Sequence, residues 1–357
     1  MDKKHIGILG GGQLALMLAL AAKRFAYKIT ILDPVKDCPC SGFADKHLVA
    51  AYDDEKALQS LIAEVDIITY EFENIPLKTV QFLEKHRPVY PQSKALEISQ
   101  DRLQEKKFFQ TLGFLTAPWY DITNVADLHN ALAQCPNGAI LKTRRMGYDG
   151  KGQIPLSIGD NDSLEQAAAL LQHMPTILEE KLSFLQEVSI LAARDYKGNF
   201  AYYDISENYH KDSILKQSFV PAKIPREIAE QAKNVAYKIL HSLDYIGILA
   251  IEFFILKDGR LILNEMAPRV HNSGHWTECA CLISQFEQHI RAISGLPLGC
   301  PKRHSNAILE NILGEDMEKL DDYYIRKNVF VRLYGKKEAL PKRKMGHAIF
   351  LKELMLE

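Results

Sequence analysis

No stretch of this chain reaches the roughly 18 consecutive apolar residues that a membrane-crossing helix requires. The best candidate, GILAIEFFIL, is interrupted by Glu252. No charge of one sign dominates, because 44 basic residues stand against 45 acidic ones. That balance excludes a general binder of nucleic acid or membrane surfaces and confines any basic site to a local patch. Cysteines at positions 38, 40, 135, 279, 281 and 300 give neither C-x-x-C nor a zinc-ligand spacing. Reduced thiols in a cytoplasmic protein are the expected reading. Internal repeats, low-complexity tracts and the G-x-x-x-x-G-K-[ST] loop of P-loop nucleotidases are all absent. The opening MDKKHIGILGGGQLALMLALAA has the lysines and apolar residues of a leader peptide, but glycines and Gln13 interrupt it. A strand, a turn and a helix fit it better.

With 357 residues, 47% of them apolar, the chain is long enough for two or three domains. Over residues 1–92 the short runs HIGIL, KITIL, HLVAA and DIITY alternate with the helical patterns QLALMLALAAKRF and EKALQSLIAEV. This predicts βαβ units on a parallel sheet. Gly10, Gly12 and Ala15 there satisfy G-x-G-x-x-G/A, and Asp33 follows as a dinucleotide fingerprint asks. Physically, such glycines promise a backbone that approaches a phosphate-bearing ligand at a helix N-terminus. Asp101 then caps the helix RLQEKKFFQTLG, which Gly113 ends, and a second domain opens. A helix over residues 163–173, the strand TILEEKL, the β-rich EVSILAARDYKGNFAYYDI and the helix REIAEQAKNVAYKILHS follow.

IGILAIEFFILKDGRLILNEM reads as a hairpin around a two-residue turn, Asp258 and Gly259. In that register Lys257 faces Arg260, Leu256 faces Leu261 and, further out, Glu252 faces Glu265, two carboxylates with Cβ atoms about 5 Å apart. Inside a hairpin this apolar, unpaired charges are costly, and a hard cation such as Mg²⁺ is the simplest remedy. The bland alternative is a pair of solvated strand-end glutamates, one of them held by Arg269. RRMGYDGKGQ lays three glycines after a strand ending in Lys142, a loop suited to covering a triphosphate as a mobile lid and equally compatible with a surface hairpin. NEMAPRVHNSGHWTECA crowds Arg269, His271, Asn272, Ser273 and His275 beside the carboxylates, as a substrate cradle would. Ser273 and Gly274 argue against a helical zinc pair from His271 and His275. LYGKKEALPKRKMGH is locally basic, either a solvated face or an anion site.

Together IGILGGGQL, YEFENIP, GYDGKGQ, EEKLSFLQEVSILAARD, IEFF, NEMAPRVHNSGHWT and LYGKKEALPKRKMGH resemble the N5-carboxyaminoimidazole ribonucleotide synthetase family of ATP-grasp ligases, nearly from end to end. The resemblance implies an α/β and α+β architecture in three parts. These are a Rossmann-like pre-ATP-grasp domain over 1–100, an ATP-grasp domain over 101–300 with a lid at 101–176, and a β-rich C-terminal segment over 301–357. It implies a homodimer that carboxylates the exocyclic amine of 5-aminoimidazole ribonucleotide with bicarbonate, ATP and Mg²⁺.

By motif, Arg102, Lys142 and the loop Gly147, Tyr148, Asp149, Gly150, Lys151, Gly152 and Gln153 would hold ATP. Glu179, Glu180, Lys181 and Leu182 would join them, with Glu187 and His210. Glu252 and Glu265 would carry the metal with Asn264, and because strict alternation points Asn264 to the other face, the strand must bend there. Gln13, Glu73, Tyr148, Asp149, Arg269, His271 and Asn272 would cradle the ribonucleotide, with Lys336 and Arg343 on its phosphate. Asp149, Lys151, Arg269 and His271 would serve catalysis. The chain departs from the family at Ala15 and Leu16, where glycine and arginine are usual, and at Met146, where glycine is common. A nicotinamide-dependent oxidoreductase, another ATP-grasp ligase or a silent binding protein are the competing readings.

Overall fold

The computed structural model describes residues 3–147 and 150–352. Tyr148 and Asp149 lie outside them. Its first sheet is parallel, in the order β3-β2-β1-β4, from β1 (His5–Leu9), β2 (Lys28–Leu32), β3 (Lys46–Leu48) and β4 (Ile67–Tyr70). Its strands are apolar without alternation because both faces are covered: Ile6, Ile8, Ile29 and Ile31 meet one set of buried residues, Leu9, Leu32 and Ile68 another.

The helix Gln13–Lys23 leaves β1 through the glycines, and what sits on its N-terminus is Glu71, just past β4. The Glu71 carboxylate accepts the backbone N–H of Gly12 and, at 2.9 Å, that of Ala15. A Cβ at Gly10, where φ is +104°, would lie 2.4 Å from Glu71 Cγ, and one at Gly12 would lie 2.6 Å from its Oε1. Asp33 is occupied in the same way, accepting from the Gly11 N–H at 2.8 Å and the Tyr52 hydroxyl at 2.9 Å. The glycines make room for the Glu71 carboxyl group, which takes two of the helix-end donors, the Gly12 and Ala15 N–H groups, that the sequence reading left for a phosphate-bearing ligand.

A second sheet, antiparallel in the order β5-β8-β6-β7, contains β5 (Trp119–Ile122), β6 (Ala139–Thr143), β7 (Gln153–Leu156) and β8 (Thr176–Glu180). Leu128, Leu132 and Ala167 of its two helices pack on Leu141, Leu156 and Leu178. The later helix starts at Asn161 rather than at 163, because Asp160 caps it by accepting from the Ser163 N–H at 3.2 Å. Asp101 caps the helix Arg102–Thr111 as expected.

The third sheet runs in the order β14-β13-β9-β11-β12-β15-β17-β16, with a short strand, β10 (Phe200–Tyr202), on β9. Its other members are β9 (Phe184–Arg194), β11 (Ser206–Lys211), β12 (Ile214–Val220), β13 (Gly247–Leu256), β14 (Leu261–Ala267), β15 (Asn306–Leu313), β16 (Val329–Leu333) and β17 (Lys344–Lys352). The helix Arg226–Ser242 lays Ile228, Ala232, Ala236 and Ile239 on one face of it, against Leu249, Ile251 and Phe253 of β13. Each large side chain buried there contributes about 1.5–3 kcal/mol. The opposite face begins dry, with Ile248 and Ala250 against Trp276 and Ile290, and turns polar at Glu252.

The hairpin between β13 and β14 corrects the expected register at two places that cancel. Its turn has three residues, since the Leu256 N–H donates to the Arg260 carbonyl at 2.9 Å and Gly259 takes φ +84°. Phe254 consequently pairs with Ile262 and Phe253 with Leu263, one position off the two-residue register. Between Leu263 and Glu265 the ladder bulges, and Glu252 faces Glu265 after all. Asn264 is the extra residue, and the bulge puts it and Glu265 on the same cavity although they are consecutive.

Candidate active site

A cavity of about 840 Å³ opens where the three sheets approach one another. Gly12 and Gln13 reach it from the first sheet, Ile140 and Lys142 from β6, Glu187 from β9, His210 from β11, Glu252 and Phe254 from β13, and Asn264 and Glu265 from β14. Phe184 stacks on Phe254 with ring centroids 4.6 Å apart and, with Ile140 and Leu215, gives that end of the cavity an apolar wall.

Cations gather around one of the two facing carboxylates and leave the other bare. Arg102 Nη1 donates to Glu265 Oε2 at 2.8 Å. Burial would lift the Glu265 carboxyl, but Arg102, Lys142 and Lys106 outweigh it and hold the group ionised. Glu252 meets burial and the charges of Glu265 and Glu187, and its pKa is pushed up. Behind them Glu179 stands 3.1 Å from Lys142 Nζ and 3.3 Å from Lys106 Nζ. Its burial is overcome by Lys106, Lys142 and Arg102, which bring its pKa down to about 2.

Two of these groups escaped the sequence reading. Glu105 and Lys106 are 2% and 1% exposed, and each holds the bulged strand: Glu105 Oε1 accepts the Met266 N–H at 2.9 Å, and Lys106 Nζ donates to the Asn264 carbonyl. The signal was present, since Arg102, Glu105 and Lys106 recur at helical spacing and share one face. Glu71, which also faces the cavity, was missed because its role depends on a contact distant in sequence.

At the other end Arg269 forms a two-pronged pair with Glu73, its Nη2 donating to Oε1 at 3.0 Å. The His271 ring is neutral, pushed down to about 3 by burial and by Arg269 and Lys344. Its Nε2 stands 3.5 Å from Glu252 Oε1. The Gln285 amide clamps this loop, accepting from the His271 N–H at 2.8 Å and donating to the His271 carbonyl at 2.7 Å. The same amide lies 3.1 Å from His275 Nδ1. Both amide atoms of Asn272 are buried without a hydrogen-bond partner among the described residues, as befits a group awaiting a polar ligand. His210 Nδ1 lies 3.0 Å from Glu187 Oε2, close enough for an ion pair although off-line for a hydrogen bond.

Of the residues singled out from sequence, the cavity wall includes Gln13, Glu73, Arg102, Lys142, Gly147, Gly150, Gln153, Glu187, His210 and the Glu252 to Asn272 group. Glu179 lies just behind it. Glu180, Lys181, Leu182, Lys151 and Gly152 are outside it, Glu180 with its side chain 3.3 Å from the Asn137 amide. The basic tail reaches the cavity through Lys344 rather than Arg343. Arg343 instead donates to the Glu338 carbonyl at 3.0 Å, and Lys336 donates to the Lys344 carbonyl at 2.8 Å. Tyr148 and Asp149 fall outside the described residues.

Known proteins share this arrangement. Residues 3–100 match the ribonucleotide synthetase preATP-grasp domain, 107–286 the ATP-grasp domain, and 307–355 the phosphoribosylaminoimidazole carboxylase C-terminal domain. The N5-carboxyaminoimidazole ribonucleotide synthase of Brucella melitensis biotype 1 is 52% identical over 347 residues, covering 97% of this chain and 96% of its own. The ADP complex of an N5-carboxyaminoimidazole ribonucleotide synthetase superposes with a TM-score of 0.95 at 42% identity, over 99% of this chain and 94% of that one. The Aspergillus clavatus enzyme, solved with ADP and 5-aminoimidazole ribonucleotide, gives 0.92 at 26% identity over 99% and 95%. With likeness at this level along the whole chain, and with paired carboxylates on a bulged hairpin beneath a glycine-rich loop, this protein belongs to the N5-carboxyaminoimidazole ribonucleotide synthase family of ATP-grasp ligases.

Proposed function

We infer the following chemistry from the family and the cavity. The chain is an ATP-grasp ligase that uses ATP to join bicarbonate to the exocyclic amine of 5-aminoimidazole ribonucleotide in purine synthesis. Bicarbonate is a poor electrophile, so its oxygen first attacks the γ-phosphate of ATP. The P–O bond to ADP breaks, and carboxyphosphate forms. The amine then takes the carboxyl carbon, either directly or as released CO₂, phosphate leaves, and the nitrogen gives up one proton.

Placement and charge neutralisation are this chain's contribution. The Phe184, Phe254 and Ile140 wall suits a purine ring, and Arg102, Lys142 and the loop from Gly147 to Gln153 suit the phosphates. Glu180, Lys181, Leu182, Glu187 and His210 complete the ATP assignment by family likeness. Gln13, Glu73, Arg269, His271 and Asn272 would hold the ribonucleotide at the other end, with Tyr148, Asp149, Lys336 and Arg343 assigned by motif. Arg269, kept in place by Glu73, would hold the bicarbonate or its phosphorylated form, and Asp149 and Lys151 would assist transfer.

Glu252 and Glu265 with Asn264 fit a hard divalent cation. They would offer oxygen donors only, and two carboxylates with one amide oxygen are fewer ligands than an octahedral ion takes, which leaves positions for phosphate oxygens. Mg²⁺ bound there would neutralise charge on the transferring phosphate. Extents of 1–100, 101–300 with a lid at 101–176, and 301–357 for the three parts, a homodimer and a cytoplasmic location complete the proposal. No helix among the described residues is long and apolar enough to cross a membrane.

The facing of Glu252 and Glu265 carries the site assignment. ADP release measured with and without 5-aminoimidazole ribonucleotide tests the reaction, and Glu265→Gln tests the metal. A fall in turnover of at least about 100-fold is expected; near-normal turnover with Mg²⁺ would overturn the assignment.

A further inference from the structure

Behind His271 runs a line of buried polar side chains that the reaction chemistry does not itself require. Ser218 donates to Asn208 Oδ1 at 2.8 Å, Asn208 Nδ2 donates to Ser189 Oγ at 2.9 Å, and Ser189 donates to Ser273 Oγ at 2.8 Å. Ser273 Oγ then meets His271 Nδ1 at 2.9 Å. All four are buried, Ser189, Ser218 and Ser273 completely, and they come from β9, β11, β12 and the turn Asn272–Gly274.

A hydroxyl carries one proton, so the direction of one link sets the direction of the next. Ser189 receives from Asn208 and gives to Ser273. Ser273, having received, gives its own proton to His271 Nδ1. Reversing the Asn208 amide would reverse the whole line and require a proton on Nδ1. An independent contact decides between the two directions: the backbone N–H of Ser273 also points at His271 Nδ1, at 3.4 Å, and a backbone amide can only donate. Nδ1 is therefore the acceptor, and the ring proton sits on Nε2, the atom that faces Glu252.

We propose that Asn208, Ser189 and Ser273 are positioning residues that fix His271 as the Nε2–H tautomer and so present a hydrogen-bond donor, rather than a lone pair, to the ligand beside Glu252. This deepens the assignment of His271 to the substrate cradle and rests on it for its catalytic consequence. The Trp276 indole, donating to Ser206 Oγ at 3.1 Å, and Ser206, donating to the Ser273 carbonyl at 3.2 Å, hold the same turn without touching the ring and serve as the structural comparison.

The experiment is long-range ¹H–¹⁵N correlation on full-length enzyme labelled at histidine, with the His271 ring assigned through His271→Gln. Wild type is expected to show Nε2 protonated and Nδ1 bare. Ser273→Ala and Asn208→Leu leave the ring only the long 3.4 Å backbone contact or an undirected hydroxyl, and are expected to give a mixture of tautomers, with kcat lowered about 10- to 100-fold and the KM for ATP within about twofold of wild type. Ser206→Ala is expected to lower the melting temperature while leaving the ring signals unchanged. Ser189→Ala replaces Asn208→Leu if the latter does not fold. A proton on Nδ1 in wild type, or unaltered ring signals in both line variants, would overturn the proposal. The ring measurement needs no substrate, so expected signals without ligase activity would count against the reaction assignment and not against the hydrogen-bond line.

Discussion

Lys106 Nζ donates to the backbone carbonyl of Asn264 at 2.7 Å, pinning the one residue that the bulged strand leaves out of its ladder. With Glu105 on the next N–H but one, a single helix turn grips the strand on both sides of Glu265. Lys106→Met keeps the length of the side chain but abandons Glu179 and the Asn264 carbonyl in a dry interior. We expect a loss of about 3 kcal/mol by urea unfolding, since buried Glu179 keeps Lys142 but loses its second close cation, and the Asn264 carbonyl loses its donor. A KM for ATP raised about tenfold should accompany it. An unchanged denaturation midpoint would show that the grip is redundant.

Glu71→Ala should strand the N–H groups of Gly12 and Ala15 and cost about 2 kcal/mol in chemical denaturation. Because a protein carboxylate already occupies that position, titrating wild-type enzyme with NADH should produce no change in nicotinamide fluorescence. Saturable enhancement would revive the oxidoreductase reading.

His289 offers a clean pH test. It is 1% exposed, its Nδ1 accepts from the Ile248 N–H at 3.2 Å, and its Nε2 lies 2.9 Å from Thr69 Oγ1, so it ties the first sheet to the third. Burial alone pushes its pKa down to about 3. Between that value and the unfolded value of about 6.5, only the unfolded chain takes the proton. The stability due to the neutral ring is complete above pH 6.5 and drains as pH falls, by about 2 kcal/mol at pH 5. Buried glutamates with raised pKa values act in the opposite direction, so the test is a difference. His289→Gln should flatten the dependence of unfolding free energy on pH between 7 and 5 relative to wild type. Parallel curves would refute the assignment.

The glycine-rich loop closes against the turn between β11 and β12, where a Cβ on Gly150 would lie 2.5 Å from Ser213 Cβ at a φ of +78°. Gly150→Ala should hold the loop open and raise the KM for ATP about tenfold, and adding Ser213→Gly should recover part of it. Met146, exposed and at φ +63°, pays a left-handed backbone cost that a glycine would avoid. Met146→Gly is expected to raise the melting temperature slightly, by the equivalent of about 0.5–1 kcal/mol.

Much of this was legible because local chemistry dictated it. Asp101 caps its helix, the β-branched runs of the first sheet are buried on both faces, and Glu252 faces Glu265. The facing pair nevertheless emerged from an incorrect turn length, rescued by an unforeseen bulge, because counting residues from a turn detects the sum of register shifts and not their positions. Glu71, Glu105 and Lys106 stayed hidden for another reason. Each has an ionisable side chain, each is buried, and its partner lies 56 or more positions away in the chain. A charged letter signals solvent until the neutralising contact is known.

Glu71 also bears on how nucleotide-binding folds diverge. A protein that fills a helix end with its own carboxyl group is not turned to dinucleotide chemistry by reshaping the outer rim alone, because backbone donors that a pyrophosphate would use are already taken. Loss of that one side chain would have to come early in any such conversion. For sorting unfamiliar sequences, the letter after the fourth strand is therefore more telling than the glycines that first draw the eye.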